Sequence, residues 1–311
     1  MSTINKNTEP VAYFRILEYE STFLDTAVEM VLEETGCKIA PGTKVLVKPN
    51  LVSGRNKLAC THPNVTISLC RYLLDCGAIV TVGDSPAYGT AAQIAKTIGM
   101  TTGLAKLGLK TKTLGRPAPL ELSFGATIGI SRDALETDMI INVPKLKAHS
   151  QFLVTGSVKN MFGTVVGFRK ALAHTRFGEI EGLMEKMILE VAAAMPIAFN
   201  LMDAIYPMHV TGPLDGKPYP MSLLAGSPNP YALDTAIYML LGLSPNKVKL
   251  WKEISKQKIC GYDPDQIKYV IEPPDDFDTT DFQLPSILSP MEFNAVRLVK
   301  GRLKSILSKI T

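Results

Sequence analysis

Four short runs rich in Val, Ile and Leu, each stopping at polar residues, constrain this chain more than anything else in it. They are KVLVKPN (44–50), AIVTVGDSP (78–86), DMIINVPK (138–145) and IAFNLMDA (197–204). A near-continuous apolar run of this length reads as a strand buried on both faces, the habit of a parallel sheet. Helical patterns at 22–36, 64–76 and 179–194 precede the first, second and fourth runs. The helix near 64 opens after His62-Pro63, with Asn64 as its expected cap, and stops at Cys76-Gly77. This alternation predicts an α/β fold: a doubly wound, largely parallel sheet with helices on both faces. Residues 100–136 break the rhythm and predict a mixed insertion, with a short strand around 109–114 and a hairpin around 119–130. Beyond 205 come a Pro/Gly-rich loop, a strand near 221–226 and helices at about 230–242 and 246–257. Residues 1–272 therefore read as a single α/β domain, 273–290 as an acidic, then Pro/Ser-containing linker, and 291–311 as a terminal helix.

Composition narrows the function classes. An apolar fraction of 46% against 20% charged residues is that of a globular protein and not of a disordered one. A net charge of +4 is too small to announce nucleic-acid binding, and none is expected. The five cysteines are scattered without a CxxC pair, so no iron–sulfur cluster is expected on this chain. With a polar N-terminus and no apolar run near the roughly 20 residues that span a bilayer, the expected compartment is the cytoplasm.

The polar residues that end the strands are the functional signal. The first run ends in Lys48-Pro49-Asn50, the second in Asp84, the third in Asn142 and Lys145, the fourth in Asp203. In an open α/β sheet, ligands bind outside the carboxyl ends of the strands. The stretch VPKLKAHSQFLVTGSVKNMFG continues that edge. Lys145, Lys147 and His149 alternate, so in an extended segment they share one face. Thr155-Gly156-Ser157 then precedes a helix start bearing Lys159 and Asn160, where free backbone N–H groups would suit an anion. The Gly-x4-Gly-Lys-Ser/Thr spacing of a Walker loop is absent.

Lys170 and His174 stand four apart in GFRKALAHTRFG, on one helix face, and form a candidate pair for proton transfer. Solvated loop lysines and an incidental histidine would look the same. His62 faces the same edge or simply opens its helix, and His209 falls in the Pro/Gly-rich loop. Asp203 and Asp234 are candidate ligands of a divalent metal that bridges a phosphorylated compound, or else local caps and pairing groups. Cys60 and His62 lack a second pair to complete a metal site.

In order along the chain, VKPNLV, THPNV, GDSPAYG, NVPKLKAHSQFLVTGSVKNMFG, KALAH, MDAIYPMHVTGP and SPNPYALDTA make residues 43–245 resemble the domain of unknown function 362 family. The resemblance implies the residues already reached by spacing: Lys48, Asn50, His62, Asp84, Lys145, Lys147, His149, Lys159, Asn160, Lys170, His174, Asp203 and Asp234. Many members of that family carry a cysteine-rich, ferredoxin-like segment after this domain. That association implies redox chemistry, with a flavin or a separate iron–sulfur partner. This chain departs from them, having only Cys260 beyond residue 245, and it places His209 where acidic residues are common.

In place of that segment stands FNAVRLVKGRLKSILSKIT, whose apolar residues follow a helical stripe beside Arg297, Lys300, Arg302, Lys304 and Lys309. Such a helix suits an acidic partner or an anionic membrane surface, or packs on its own domain or in a homo-oligomer. The expected function is an enzyme that binds a phosphorylated or carboxylated ligand in a Lys/His/Asn-lined cleft at the strand ends. The alternative is a non-catalytic binding or adaptor protein that docks through the terminal helix.

Overall fold

Apolar residues alternate sides along the strands, and two sets of helices cover the two faces. A computed structural model describes residues 8–20, 22–86, 89–178 and 180–289. The strands are β1 (Glu9–Arg15), β2 (Lys44–Pro49), β3 (Ile79–Asp84), β4 (Thr111–Thr113), β5 (Pro117–Glu121), β6 (Thr127–Ser131) and β7 (Met139–Val143). They continue with β8 (Lys145–His149), β9 (Leu153–Thr155), β10 (Ile197–His209), β11 (Lys217–Pro218), β12 (Leu223–Ser227) and β13 (Ile267–Ile271). The helices are α1 (Leu24–Glu34), α2 (Pro63–Asp75), α3 (Ala91–Ile98), α4 (Met100–Lys106), α5 (Arg132–Leu135), α6 (Ser157–Met161), α7 (Arg169–Phe177), α8 (Leu183–Ala193), α9 (Pro230–Leu240) and α10 (Lys249–Lys256).

The main sheet runs β13-β1-β12-β10-β7-β2-β3-β4, with β8, β9 and β11 branching from β10. Its middle, β10-β7-β2-β3-β4, is parallel throughout, so these five carboxyl ends share one edge. From β2 the chain moves outward to β3 and β4, whereas β7 lies on the other side of β2 and leads to β10. That reversal between β2 and β7 is a topological switch point, where the strand ends leave a crevice. Val45, Val47, Ile141, Val143 and Leu201 face α1 to α4, while Leu46 and Ile140 face α6, α8 and α10. Under β1, β10 and β12, Val11, Tyr13, Met202 and Ala225 pack on α9 and Trp251. The doubly wound α/β class expected from the sequence is the one observed.

Several details differ from the sequence reading. The cap of α2 is His62, whose Nδ1 accepts from the Asn64 N–H at 3.3 Å, with Pro63 in the first turn. A histidine ring nitrogen two residues ahead does the work expected of Asn64. β10 runs on past 204, because β8 and β11 pair with its far half, so His209 ends a strand and not a loop. β1 and β13 were not expected; β13 is an edge strand whose partly exposed residues give no apolar run. The hairpin β5–β6 and the short β4 fill the mixed insertion, together with α4. Residues 273–289, expected as a linker, lie packed on the domain. Phe277 is buried beside Tyr13, the Tyr219 hydroxyl donates to the Asp278 carbonyl at 3.2 Å, and Ser289 N–H donates to the Ser150 carbonyl at 2.7 Å. Three anchors spaced through an acidic segment leave no compositional mark. The terminal helix expected over 291–311 lies outside the described residues.

Candidate functional site: a lysine-lined cavity at the switch point

β2 delivers Lys48 to the sheet edge, and β3 delivers Asp84 beside it. Lys48 Nζ lies 2.9 Å from Asp84 Oδ1, an ion pair met too obliquely for a hydrogen bond, and Lys48 is fully buried. Asp84 Oδ2 accepts from the Leu51 N–H at 2.9 Å. Gly163 makes room for this pair: a Cβ there would stand 2.5 Å from Lys48 Nζ and 2.6 Å from Asp84 Oδ1.

β8 turns its alternate residues Lys145, Lys147 and His149 toward one cavity of about 490 Å³. Each finds a different partner. Lys145 Nζ donates to Asp203 Oδ1 at 3.0 Å and to the Tyr19 hydroxyl at 2.6 Å, and Tyr19 in turn donates to Asp203 at 2.8 Å. The His62 ring stacks on Tyr19 at 3.6 Å between centroids, and its backbone N–H donates to Asp203 Oδ2 at 2.9 Å. Lys147 Nζ meets no carboxylate; it donates to Asn50 Oδ1 and to the Ala59 carbonyl, each at 2.9 Å. His149 Nδ1 accepts from the Gln151 N–H at 3.1 Å, which puts the proton of the neutral ring on Nε2.

Behind Lys147 runs a line of buried amides. Asn50 donates to Asn160 at 2.6 Å, Asn160 to Asn142 at 2.7 Å, Asn142 to Asn200 at 2.9 Å, and Asn200 to the Ser227 carbonyl at 3.2 Å. Asn160 sits in α6, whose start was expected to offer free N–H groups to an anion. Asp234 on α9 takes that place: its oxygens accept from Ser157 N–H at 2.6 Å and Val158 N–H at 3.0 Å. Gly156 permits the approach, since a Cβ there would meet Asp234 Oδ1 at 2.3 Å. The anion of this helix start is therefore part of the chain itself.

α6 also carries Lys159, whose Nζ lies 4.9 Å and 4.5 Å from the ring centroids of Phe152 and Phe162. Lys170, in α7, donates to the Ser85 carbonyl and to the Gly163 carbonyl, the latter at 3.0 Å. His174 packs edge-on against Phe162, with ring centroids 5.5 Å apart.

Five lysines and two aspartates thus meet at one edge, and burial opposes the charge of the four lysines that line the cavity. Desolvation, reinforced by the neighbouring lysines, lowers Lys159 to about 7; desolvation and Lys48 lower Lys170 to about 7 as well, against the pull of Asp84. Lys147 falls to about 8 by burial, with Lys145 and Lys48 adding to it. Burial also lowers Lys145, against the attraction of Asp203, and holds His149 well below its ordinary value. His174 drops to about 3 by burial and the Lys159 charge, so both rings are neutral near pH 7. Burial raises Asp234 to about 7, against its two backbone N–H partners.

Asn50, Asp84, Lys145, Lys147, His149, Lys159, Asn160, Lys170 and His174 line the one cavity. Lys48 and His62, expected to touch ligand, stand behind it: Lys48 under Asp84, His62 on Tyr19. Asp203 and Asp234, expected as metal ligands, belong to separate networks in which every carboxylate oxygen already accepts a protein hydrogen bond. Among the described residues no three His, Cys, Asp or Glu side chains gather as metal ligands do. Sequence reasoning missed Tyr19, Asn200, Phe152 and Phe162. The two phenylalanines flank Lys159 in the quoted stretch, whereas nothing around Tyr19 or Asn200 announces a partner far away in the chain.

The fold and this cavity define an α/β protein with a cationic pocket at the carboxyl edge of a parallel sheet. The chain belongs to the family described as Domain of unknown function (DUF362), whose model matches residues 45–239. A thylakoid-associated protein of Synechocystis sp. is 31% identical over 303 residues, covering 94% of this chain and 93% of that protein. Among solved structures, the lactate racemase apoprotein from Thermoanaerobacterium thermosaccharolyticum aligns with a TM-score of 0.48 at 12% identity, covering 74% of this chain and 57% of that one. A protein from Thermotoga maritima aligns with a TM-score of 0.36 at 15% identity, covering 60% of this chain and 50% of that one. No helix among the described residues is long and apolar enough to cross a membrane.

Proposed function

We propose that the cavity binds a small phosphorylated or carboxylated compound and acts on it as an enzyme. The observation that carries this reading is the charge imbalance of the wall. Lys145 has Asp203, but Lys147, Lys159 and Lys170 line the same cavity with no carboxylate within ion-pair distance among the described residues. Keeping Lys147 and Lys170 out of water, with the partly buried Lys159 beside them and no counter-ion, is costly, and an anionic ligand supplies the missing charge. Lys170, which titrates at about 7, can both take and release a proton near neutral pH, while the neutral rings of His174 and His149 offer hydrogen-bonding groups beside it. A flavin is one phosphorylated compound that such a wall would attract, and the ferredoxin segments of related chains favour a redox reaction supplied by a bound cofactor or a separate partner. The test is calorimetric titration with sulfate and with phosphate. Lys147→Met and Lys170→Met should each weaken binding at least tenfold, and unchanged affinity in both would sink the reading.

A second reading has its own support. The basic amphipathic composition of 293–311, and the thylakoid association in the name of the Synechocystis relative, favour contact with an anionic membrane surface. Sedimentation with phosphatidylglycerol vesicles, before and after deletion of 291–311, tests it; equal binding by both chains would end it.

A further inference from the structure

Four lysines line the cavity, and three of them are tied to fixed oxygens. Lys145 is held by Asp203 and Tyr19, Lys147 by Asn50 and Ala59, and Lys170 by Ser85 and Gly163. Lys159 has no oxygen acceptor among the described residues. Its amine is instead clamped between the faces of Phe152 and Phe162. Ring faces give an ammonium some attraction but, unlike a carboxylate, bring no full negative charge that would hold the proton on the amine. We propose that Lys159 is a nucleophilic lysine that forms an imine with the carbonyl carbon of a small aldehyde or ketone bearing a carboxylate or phosphate.

This inference rests on the anion-binding reading and names the substrate class. Lys147 and Lys170 hold the anionic group, and Lys159 faces the carbonyl. A cluster of like charges in a desolvated pocket is one of the standard ways to obtain a neutral lysine near pH 7. Lys159 has that environment, with Lys147, Lys170 and Lys48 all acting on it. Both cavity histidines lie close enough to feel its charge. In the first step the amine lone pair forms the C–N bond while the carbonyl π pair moves to oxygen, and a proton passes from nitrogen to that oxygen to give a carbinolamine. In the second, a proton from the Lys170 ammonium lets the hydroxyl depart as water, as the nitrogen lone pair closes the C=N bond. One amine, one carbonyl and one proton thus give one iminium and one water, with no oxidant or reductant.

The experiment is reductive trapping on the full chain, with sodium cyanoborohydride and either pyruvate or dihydroxyacetone phosphate, followed by peptide mass spectrometry. The expected result is an adduct on Lys159 with at least one probe, formed faster as pH rises through 7 and competed by sulfate. It should be absent from Lys159→Met, whose folding is checked by far-UV circular dichroism and a cooperative thermal unfolding transition. An adduct spread over several lysines and unchanged in Lys159→Met overturns the inference. Sulfate binding without any Lys159 adduct also overturns it, yet leaves the anion-binding reading standing. Neither sulfate binding nor an adduct overturns both.

Discussion

The affinity of the cavity for an anion should depend steeply on pH, and the lysines set the slope. Sulfate is a suitable probe because its own charge is constant above pH 3. Binding requires Lys147 and Lys170 to be protonated, and without ligand they stand at about 8 and about 7. At pH 6.5 both are mostly charged. At pH 9 Lys170 is roughly 1% protonated and Lys147 roughly 10%, so the competent form falls to ~0.1% and sulfate Kd rises by ~10³, about 4 kcal/mol. The sign is fixed: each lysine must regain a proton on binding, so affinity falls as pH rises through its free value. Calorimetry at constant ionic strength, in buffers of different ionisation enthalpy, reads both the Kd and the protons taken up. Lys170→Met should reduce the limiting slope of log Kd against pH by one unit. A sulfate affinity that is flat between pH 6.5 and 9 would refute the argument, because it would mean that the buried lysines do not meet the anion.

The ligand-free protein should behave in the opposite sense. Lys159 and Lys170 are depressed from 10.5 to about 7, so between those values the unfolded chain binds protons that the folded chain does not; stability rises with pH there by about 1.4 kcal/mol per unit per lysine, and is lost as pH falls toward 7. Thermal unfolding at pH 7.5 and 9 should show the rise, and Lys170→Met should remove part of it. Gly163→Ala should cost ~3 kcal/mol, since the new Cβ must part the buried Lys48–Asp84 pair; chemical denaturation checks it, and a change under 1 kcal/mol would contradict it. Asp234→Asn leaves one α6 N–H facing an amide donor, so it should lose about 1–3 kcal/mol in the same assay and weaken sulfate binding through the displaced helix.

What could be read from the chain and what could not divide along a physical line. Strands β2, β3, β7 and β10 declare themselves because burial on both faces demands unbroken apolar runs, and the parallel edge follows from their alternation with helices. Lys145, Lys147 and His149 were legible because a strand has period two. Lys48 was legible as a charge at the right edge, but not its burial under Asp84, since no local pattern separates a buried ion from one that touches ligand. The start of α6 misled for a related reason: its N–H groups are satisfied by a carboxylate 77 residues later. Tyr19 and Asn200 were invisible because their partners lie on other strands. Pairings of that range are made by topology and leave no spacing to find.

The line of asparagines has a further meaning. Each amide gives its N–H forward and offers its oxygen backward, from Lys147 at one end to the Ser227 carbonyl at the other. Four peptide-like dipoles therefore lie head to tail with their negative pole on the lysine, a polarised filament that lends charge stabilisation to a buried cation from across the sheet. The filament has a single reading direction. Reversing any one amide sets two donors against each other on one side and two acceptors on the other, so the orientation of Asn200, deep in the sheet, decides what Asn50 shows to Lys147.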